Sequence, residues 1–337
     1  MRELTYVGDR RVEWRQRPDP RLESRFDAIV RPVAATTCDV DRAILLGRAP
    51  VPPPFAIGHE CVAEVVEAGV GVTHVVPGDL VVVPWHIGCG RCDRCRAGLF
   101  AHCRTVPYMA MFGAPIGGAW GGLFSDLVRV PYADAMLVPL PAGVDPATAA
   151  SVSDNIVDAW RTVGPQLADR PGSPVLVCAG AGSIDVYAAA IALALGAERV
   201  DFAGGRGDAP ALAQGYGANL VEGGFPERLG PYPVTVDASA SHDGLACALR
   251  STAPDGVCTS VGIYYERETP VPLLEMYTKG ITFLTGRVHA RPAIPEVLDL
   301  IATGRLDPRP VTRREEDWED ADSALAEHLE KLVISRA

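Results

Sequence analysis

The sequence predicts a two-domain α/β protein, in which a mainly β half is followed by a parallel sheet flanked by helices. The chain has 337 residues, 48% of them hydrophobic and 22% charged, which is enough for two buried cores. Up to about residue 150, short apolar runs are separated by Gly and Pro about every 8–12 residues, as in small antiparallel domains. Beyond that point apolar strands alternate with helical segments, which is typical of βαβ units.

In the first half, residues 1–150, short strands are predicted over 27–32, 61–68 and 79–84, each bounded by turn-forming residues. Near Pro146 the pattern changes, and residues 147–163 are predicted to be helical. In the second half the predicted strand and helix pairs lie at 174–179 and 184–195, then at 199–203 and 209–216. Further strands are predicted at 234–238 and 257–263, followed by a helix at 294–303. The acidic stretch 315–322 is interpreted as a solvated helix start.

Charge and hydropathy exclude two classes of partner. The formal net charge is −11, and no run of Lys or Arg offers a surface for nucleic-acid phosphates. No window reaches the ~18 apolar residues that a membrane span needs. The N-terminus lacks the apolar core of a signal peptide, so a cytoplasmic location is expected.

Four of the nine cysteines, Cys89, Cys92, Cys95 and Cys103, lie within fifteen residues, with the spacing C-x2-C-x2-C-x7-C. In a protein expected to keep its thiols reduced, such a cluster indicates metal ligands before disulfides. Four thiolates complete a tetrahedral zinc shell without an open position, which predicts a structural zinc site. The alternative is four free cysteines grouped by chance.

Three further residues remain ambiguous when each is considered alone. Cys38 could be a small buried apolar residue, and His59 could be a histidine of the core. Asp154 could cap the helix that follows it.

A glycine-rich turn follows the predicted strand 174–179 and precedes a helix, which is the context of a dinucleotide phosphate turn. Gly180 permits the tight turn and Gly182 lets a pyrophosphate approach, with Ser183 and Ile184 at the helix start. The third glycine of the fingerprint is replaced by Asp185, whose carboxylate suits the helix dipole but would repel a pyrophosphate.

A second departure affects the choice of cofactor. The acid expected to bind the ribose of NAD is missing, and Gly204-Gly205-Arg206 stands in its place. Arg206 could accept the 2′-phosphate of NADP, which favours NADP over NAD. Alternatively, Arg206 is an exposed loop charge.

The order of these motifs resembles the zinc-containing medium-chain dehydrogenase/reductase family, which includes alcohol, sorbitol, threonine and formaldehyde dehydrogenases. The resemblance is carried by Gly58-His59-Glu60, the cysteine cluster, the glycine-rich turn, Val76-Pro77-Gly78-Asp79 and Gly262-Ile263-Tyr264. It implies a GroES-like catalytic domain over 1–150, with the structural zinc lobe at about 86–104. It also implies a Rossmann-type doubly wound domain over 151–285 and a return to the catalytic domain over 286–337.

The resemblance further implies a catalytic zinc held by Cys38, His59 and Asp154, with Glu60 beside or on the metal and Asp41 orienting His59. The chain would then hold two zinc ions. Ser153-Asp154-Asn155 resembles the formaldehyde-dehydrogenase type of this site. The implied candidates for the substrate pocket are Val40, Trp85, Trp120, Asn155 and Tyr264. The two tryptophans could equally be core residues.

The expected function is a zinc-dependent oxidoreductase that exchanges hydride between NADP or NAD and an alcohol or carbonyl substrate, in a homo-oligomer. The family's proton relay is missing, because its positions hold Val40 and Ala43. Asp39, Glu60 or a water chain would have to replace it; His86 is a further candidate, although a structural role fits it better. One alternative is therefore an NADPH-dependent reductase of imines or C=C bonds. Another, motivated by Asp185 and Gly204, is a non-redox zinc enzyme or binding module.

Overall fold

The computed structural model describes residues 1–180, 182–312, 314–328 and 330–336. The chain divides into two compact units. Unit 1 consists of Met1–Val157 and His289–Ala337, and unit 2 consists of Asp158–Val288. The limits predicted at residues 150 and 285 lie a few residues before these two divisions.

The strands and helices are as follows. The strands are β1 (Arg2–Gly8), β2 (Arg11–Gln16), β3 (Ala28–Thr36), β4 (Phe55–Ala56), β5 (Glu60–Ala68), β6 (Leu80–Val83), β7 (Val128–Val130), β8 (Val138–Pro139), β9 (Val175–Ala179), β10 (Val200–Gly204), β11 (Asn219–Val221), β12 (Tyr232–Asp237), β13 (Thr252–Ser260), β14 (Thr282–Thr285), β15 (Arg314–Asp317) and β16 (Leu332–Ser335). The α-helices are α1 (Asp39–Leu45), α2 (Asp93–Arg96), α3 (Ala133–Met136), α4 (Pro146–Ala149), α5 (Asn155–Asp169), α6 (Ile184–Ala194), α7 (Ala209–Tyr216), α8 (His242–Ser251), α9 (Leu273–Lys279), α10 (Ala290–Ala302) and α11 (Ala321–Glu327). Short 3-10 helices lie at Phe100–His102, Ala150–Ser153, Arg309–Val311 and Trp318–Asp320.

Unit 1 contains two sheets, one with strand order β2-β1-β4 and one with order β15-β16-β3-β5-β6-β8, where β7 also pairs with β3. The central pair β3 and β5 is antiparallel, with register shifts at two points of the pairing. One shift lies between Pro32 and Ala34, because proline has no N–H to give to the ladder. Apolar side chains such as Leu4, Val65 and Phe124 fill the core of this unit.

The acidic stretch near the C-terminus corrects one sequence-based interpretation. Residues 315–317 belong to strand β15, and the helix α11 begins only at Ala321. Between them Trp318 is 1% exposed and packs near Trp14, with 6.2 Å between the ring centroids, so Trp318 anchors the segment while Glu315, Asp317, Glu319 and Asp320 are exposed. Beside it Asp126 pairs with Arg2 at 3.2 Å and with Arg336 at 3.0 Å.

Unit 2 is built on a six-stranded sheet with order β11-β10-β9-β12-β13-β14. All of its strand pairs are parallel. The chain runs outward from β9 to β11 and returns to β12 on the other side of β9. The order therefore reverses next to the carboxyl end of β9, the place where such sheets bind ligands. The predicted architecture, a Rossmann-type parallel sheet together with a mainly β unit, is confirmed.

Among the described residues, none of the helices is both long and apolar enough to cross a bilayer.

Candidate active site

The cysteine cluster forms a compact group in unit 1. The four sulfur atoms of Cys89, Cys92, Cys95 and Cys103 all lie within 4.8 Å of one another. Cys92 Sγ and Cys103 Sγ are 3.9 Å apart, close to the separation of about 3.8 Å that a tetrahedron of Zn–S bonds of about 2.3 Å requires. The Thr105 hydroxyl donates to Cys89 Sγ at 3.1 Å. Geometry and donor chemistry therefore fit a structural zinc ion.

Backbone amides favour the thiolate form of Cys92. Cys92 is the N-cap of α2, and its sulfur accepts a hydrogen bond from Cys95 N at 3.5 Å. Although burial opposes it, such hydrogen bonds lower the pKa of Cys92 to about 6. A thiol that ionises this readily is suited to metal binding.

A second group brings together Cys38, His59 and Asp154, whose ligand atoms also lie within 4.8 Å of one another. His59 Nε2 lies 3.0 Å from Cys38 Sγ and 3.5 Å from Asp154 Oδ2. Cys38 is the N-cap of α1, and His59 directly precedes β5. Asp154 stands between the 3-10 helix Ala150–Ser153 and α5. The helix predicted over 147–163 is thus interrupted where the third ligand atom is placed.

This second group matches the donor set of a catalytic zinc site. Bond lengths of about 2.0–2.3 Å imply edges of about 3.4 Å for N···O and about 3.5 Å for N···S in a tetrahedron. The observed N···O distance of 3.5 Å agrees with this edge. The N···S distance of 3.0 Å is that of a hydrogen bond and is shorter than the expected edge of about 3.5 Å. Both atoms are therefore close enough to bind the same ion. Three protein donors would leave one position open, so the residues fit zinc.

Asp41 lies on the Nδ1 side of His59. Its Oδ1 lies 3.6 Å from His59 Nδ1, and its Oδ2 accepts a hydrogen bond from Cys38 N at 2.9 Å. Burial alone would lower the pKa of His59, but the charges of Cys38 and Asp41 raise it well above its usual value. With Nδ1 facing Asp41, Nε2 faces Cys38 and Asp154.

Glu60 lies outside this three-residue group, although the resemblance placed it beside or on the metal. Its Oε1 accepts a hydrogen bond from Asn155 N at 2.7 Å, and its Oε2 accepts one from Lys331 Nζ at 3.0 Å. Burial raises the pKa of Glu60 to about 7, against the opposing charge of Lys331. Glu60 therefore belongs to a buried charge pair behind the ligands.

Lys331 is the residue of this site that sequence reasoning missed. Its Nζ also donates to Asn155 Oδ1 at 3.0 Å and to Thr37 O at 2.7 Å. Asn155 Nδ2 in turn contacts Asp154 Oδ2 at 3.4 Å, so Lys331 reaches a ligand through one intermediate side chain. The available signal was that Lys279 and Lys331 are the two lysines of the chain.

The other pocket candidates have diverse surroundings. Trp85 and Asn155 are buried, at 3% and 1% exposed. Val40 packs against the core of unit 1, and Trp120 donates its indole N–H to Gly117 O at 2.8 Å. In unit 2, the Tyr264 hydroxyl donates to Asp237 Oδ2 at 2.9 Å. His86 is fully buried, and its Nε2 accepts from Arg291 N at 3.3 Å, as expected of a structural histidine.

The glycine-rich turn connects β9 to α6, whose N-cap is Ser183 and whose first residue is Ile184. A Cβ atom on Gly180 would lie 2.7 Å from Ala238 O, so a side chain there is excluded. Gly182 follows in the same turn. Asp185 is fully buried, and its Oδ2 accepts a hydrogen bond from Gly180 N at 2.9 Å.

The end of β10 explains why no ribose-binding acid is present there. Gly204 has a φ of +77°, and a Cβ atom on it would lie 2.6 Å from the ring of Phe225. Arg206 is exposed, and its backbone N–H donates to Gly180 O at 2.9 Å. The loop therefore holds Arg206 beside the phosphate turn.

Comparison with known proteins places the chain in a family. The alcohol dehydrogenase GroES-like domain matches residues 24–142. A Mycobacterium tuberculosis protein named as a zinc-binding alcohol dehydrogenase is 31% identical over 317 residues, covering 91% of this chain and 80% of that protein. Glutathione-independent formaldehyde dehydrogenase of Pseudomonas aeruginosa is 34% identical over 208 residues, covering 58% of this chain and 52% of that protein. Among solved structures, alcohol dehydrogenase TADH from Thermus sp. ATN1 matches with a TM-score of 0.86 at 28% identity, covering 100% of both chains. The resemblance seen in the sequence is confirmed, and the chain belongs to the zinc-type alcohol dehydrogenases of the medium-chain dehydrogenase/reductase family.

Proposed function

We propose that this protein is a zinc-dependent oxidoreductase that exchanges hydride between NADP or NAD and an alcohol or carbonyl substrate. The observation that carries the proposal is the group Cys38, His59 and Asp154, which offers one sulfur, one nitrogen and one oxygen donor at a common point. A zinc ion bound there would act as a Lewis acid and polarise a substrate oxygen.

The protein residues around this group would fix the donors and exclude water. Asp41 would orient His59 by its charge, while Asn155 and Lys331 would hold Asp154 and Glu60. Cys38 and His59 are 5% and 4% exposed, so electrostatic interactions at the site are weakly screened.

Proton transfer in this site must use groups other than those of the missing relay, since neither Val40 nor Ala43 can carry a proton. Asp39 lines a cavity together with Cys38 and His328. We propose Asp39 as the acceptor through which a proton would leave. Asp39→Asn should lower kcat for alcohol oxidation at neutral pH and leave zinc content unchanged, and an unaltered kcat would reject this role.

The zinc assignment is tested by counting metal ions. In Asp154→Ala, zinc content measured by elemental analysis should fall from about two to about one per chain, and alcohol oxidation should be lost. Cys92→Ser is the matched control, because it should remove the other ion and lower thermal stability. An Asp154→Ala protein that keeps both ions would refute the assignment and return Asp154 to the role of a helix cap.

We propose NADP as the preferred cofactor. Arg206 is exposed beside the phosphate turn, and Gly204 leaves no room for the acid that would bind the ribose of NAD. Arg206→Ala should weaken NADPH binding at least tenfold more than NADH binding, because the lost charge faces the 2′-phosphate. Equal effects on the two cofactors in fluorescence titrations would contradict this preference.

A second candidate function is reduction of an imine or a conjugated C=C bond with NADPH. The observation that favours it is the apolar pair Val40 and Ala43, since hydride delivery to such substrates needs no relay from an alcohol. Activity on an enone that survives the loss of zinc in Asp154→Ala would favour this candidate over alcohol oxidation.

We also propose that the protein forms a homo-oligomer through unit 2. Leu273, Leu274 and Tyr277 of α9 are 66%, 76% and 82% exposed, and the neighbouring strand β14 lies at the edge of its sheet. Exposed apolar side chains beside a sheet edge are typical of an interface. Light scattering should show a dimer or larger assembly that Leu274→Asp dissociates, and a monomeric wild-type protein would refute the proposal.

A further inference from the structure

The phosphate turn of unit 2 contains a buried carboxylate. Asp185 is the second residue of α6, and its Oδ2 accepts a hydrogen bond from Gly180 N at 2.9 Å. Its Oδ1 accepts from Val186 N at 2.8 Å. The side chain is 0% exposed, so the carboxylate is folded back from the helix start onto the end of β9.

A negative charge at this place resembles the ligand that the turn is built to hold. In dinucleotide folds the amides of the turn and the positive end of the helix dipole attract the pyrophosphate. A carboxylate oxygen and a phosphate oxygen are both anionic acceptors. Asp185 therefore already provides the turn with a negative charge and an anionic acceptor, as a bound pyrophosphate would.

We propose that Asp185 is an affinity-determining residue, whose carboxylate acts as an internal anion of the phosphate turn and weakens the binding of every dinucleotide. This inference rests on the proposed NADP or NAD dependence. Two unit charges about 6 Å apart, at an effective dielectric constant of about 20, repel each other enough to change an affinity by about a hundredfold. Screening by salt reduces this figure, so we expect about tenfold or more.

Asp185 and Arg206 should have separable effects on binding. Asp185 contacts the turn that would meet the pyrophosphate, which NADPH and NADH share. Arg206 lies on the loop that follows β10, where the 2′-position would be recognised. Replacing Asp185 should therefore strengthen the binding of both cofactors by a similar factor. Replacing Arg206 should instead change the ratio of the two dissociation constants.

The experiment is a fluorescence titration of NADPH and NADH into the wild-type protein, Asp185→Gly and Asp185→Asn. Both variants should bind both cofactors about tenfold or more tightly than the wild type, and the gain should shrink at high salt. Asp243→Asn is the matched control, because Asp243 is also the second residue of a helix in unit 2 but is exposed. Its dissociation constants should stay within about twofold of the wild type.

The outcomes separate this inference from the proposed function. Measurable wild-type binding that neither variant improves would overturn the role of Asp185 and leave the proposed function intact. No binding of either cofactor by any of the proteins would overturn the proposed function as well. Equal tightening in Asp243→Asn would show a general charge effect and also overturn the inference. If Asp185→Gly fails to fold, Asp185→Asn decides, since it keeps the shape and an acceptor for Gly180 N.

Discussion

Replacing Lys331 by Met tests whether a buried charge pair stabilises the metal-ligand group of unit 1. The Lys331 and Glu60 side chains are 6% and 0% exposed, and Nζ lies 3.0 Å from Oε2. The substitution removes the cation and three hydrogen bonds at once. It leaves the Glu60 carboxyl buried without its counter-charge, so the carboxyl must either stay ionised or take up a proton, and either state is more costly than a missing surface ion pair.

The magnitude follows from the burial. Removing one partner of a buried ion pair costs about 3–5 kcal/mol. Unit 1 has about 200 residues, and in a domain of that size each kcal/mol shifts Tm by about 2–4 °C. We therefore expect the Tm of unit 1 in Lys331→Met to fall by about 10 °C.

The assay is urea and thermal unfolding of the zinc-loaded protein, with Lys279→Met as the matched control. Lys279 Nζ donates to two backbone carbonyls, Arg250 O and Thr252 O, so its loss should cost only about 1 kcal/mol. Adding Glu60→Gln to Lys331→Met should recover much of the loss, because a neutral amide needs no counter-charge. If Lys331→Met loses no more stability than Lys279→Met, the charge pair does not stabilise the site.

Two further substitutions test the packing of unit 1. Although burial opposes it, the two arginine partners of Asp126 lower its pKa to about 2. The stability that Asp126 contributes to the folded protein is therefore present above pH 4 and is lost as the pH falls towards 2. Asp126→Asn should therefore cost about 1–2 kcal/mol at pH 7 and much less near pH 2 in paired thermal melts, and a pH-independent difference would contradict this. Gly58→Ala should cost about 3 kcal/mol or more in urea unfolding, since φ is +95° and the new Cβ would overlap Phe124. Gly78 has a similar φ of +97°, and a Cβ there would meet nothing within 4 Å, so Gly78→Ala should show the cost of backbone strain alone. An equal loss of stability in both variants would exclude a contribution from the contact with Phe124.

The elements of unit 2 were the easiest to predict from the sequence. The strand 174–179 and the helix 184–195 correspond to β9 and α6, because a buried parallel strand is a continuous apolar run between turn residues. The helix predicted over 147–163 was less accurate. It is broken at Ala150–Ser153, where the Ser153 hydroxyl binds Cys61 N and O at 2.9 and 3.0 Å. That contact joins residues far apart in the chain, so the local pattern could not indicate it.

The same limit applies to the surroundings of the candidate site. The cysteine spacing is local, and it was sufficient to predict a metal group at Cys89–Cys103. By contrast, Lys331 lies 271 residues from Glu60 in the sequence, and no periodicity connects the two. Asp185 was visible as a departure from the glycine pattern, but the sequence could not show that its carboxylate is turned back onto Gly180.

The positions of these residues in the two units lead to a last test. Cys38, His59 and Asp154 belong to unit 1, whereas Gly180 and Asp185 belong to unit 2. Metal content and dinucleotide affinity therefore depend on different residues, and substitutions that share no contact partner usually act independently. Asp154→Ala should lose one zinc ion and keep the wild-type dissociation constant for NADPH, while Asp185→Gly should bind NADPH more tightly and keep its zinc. If Asp185→Gly lost zinc together with its change in affinity, its effect would have to act through the folding of the whole chain rather than through charge in the turn.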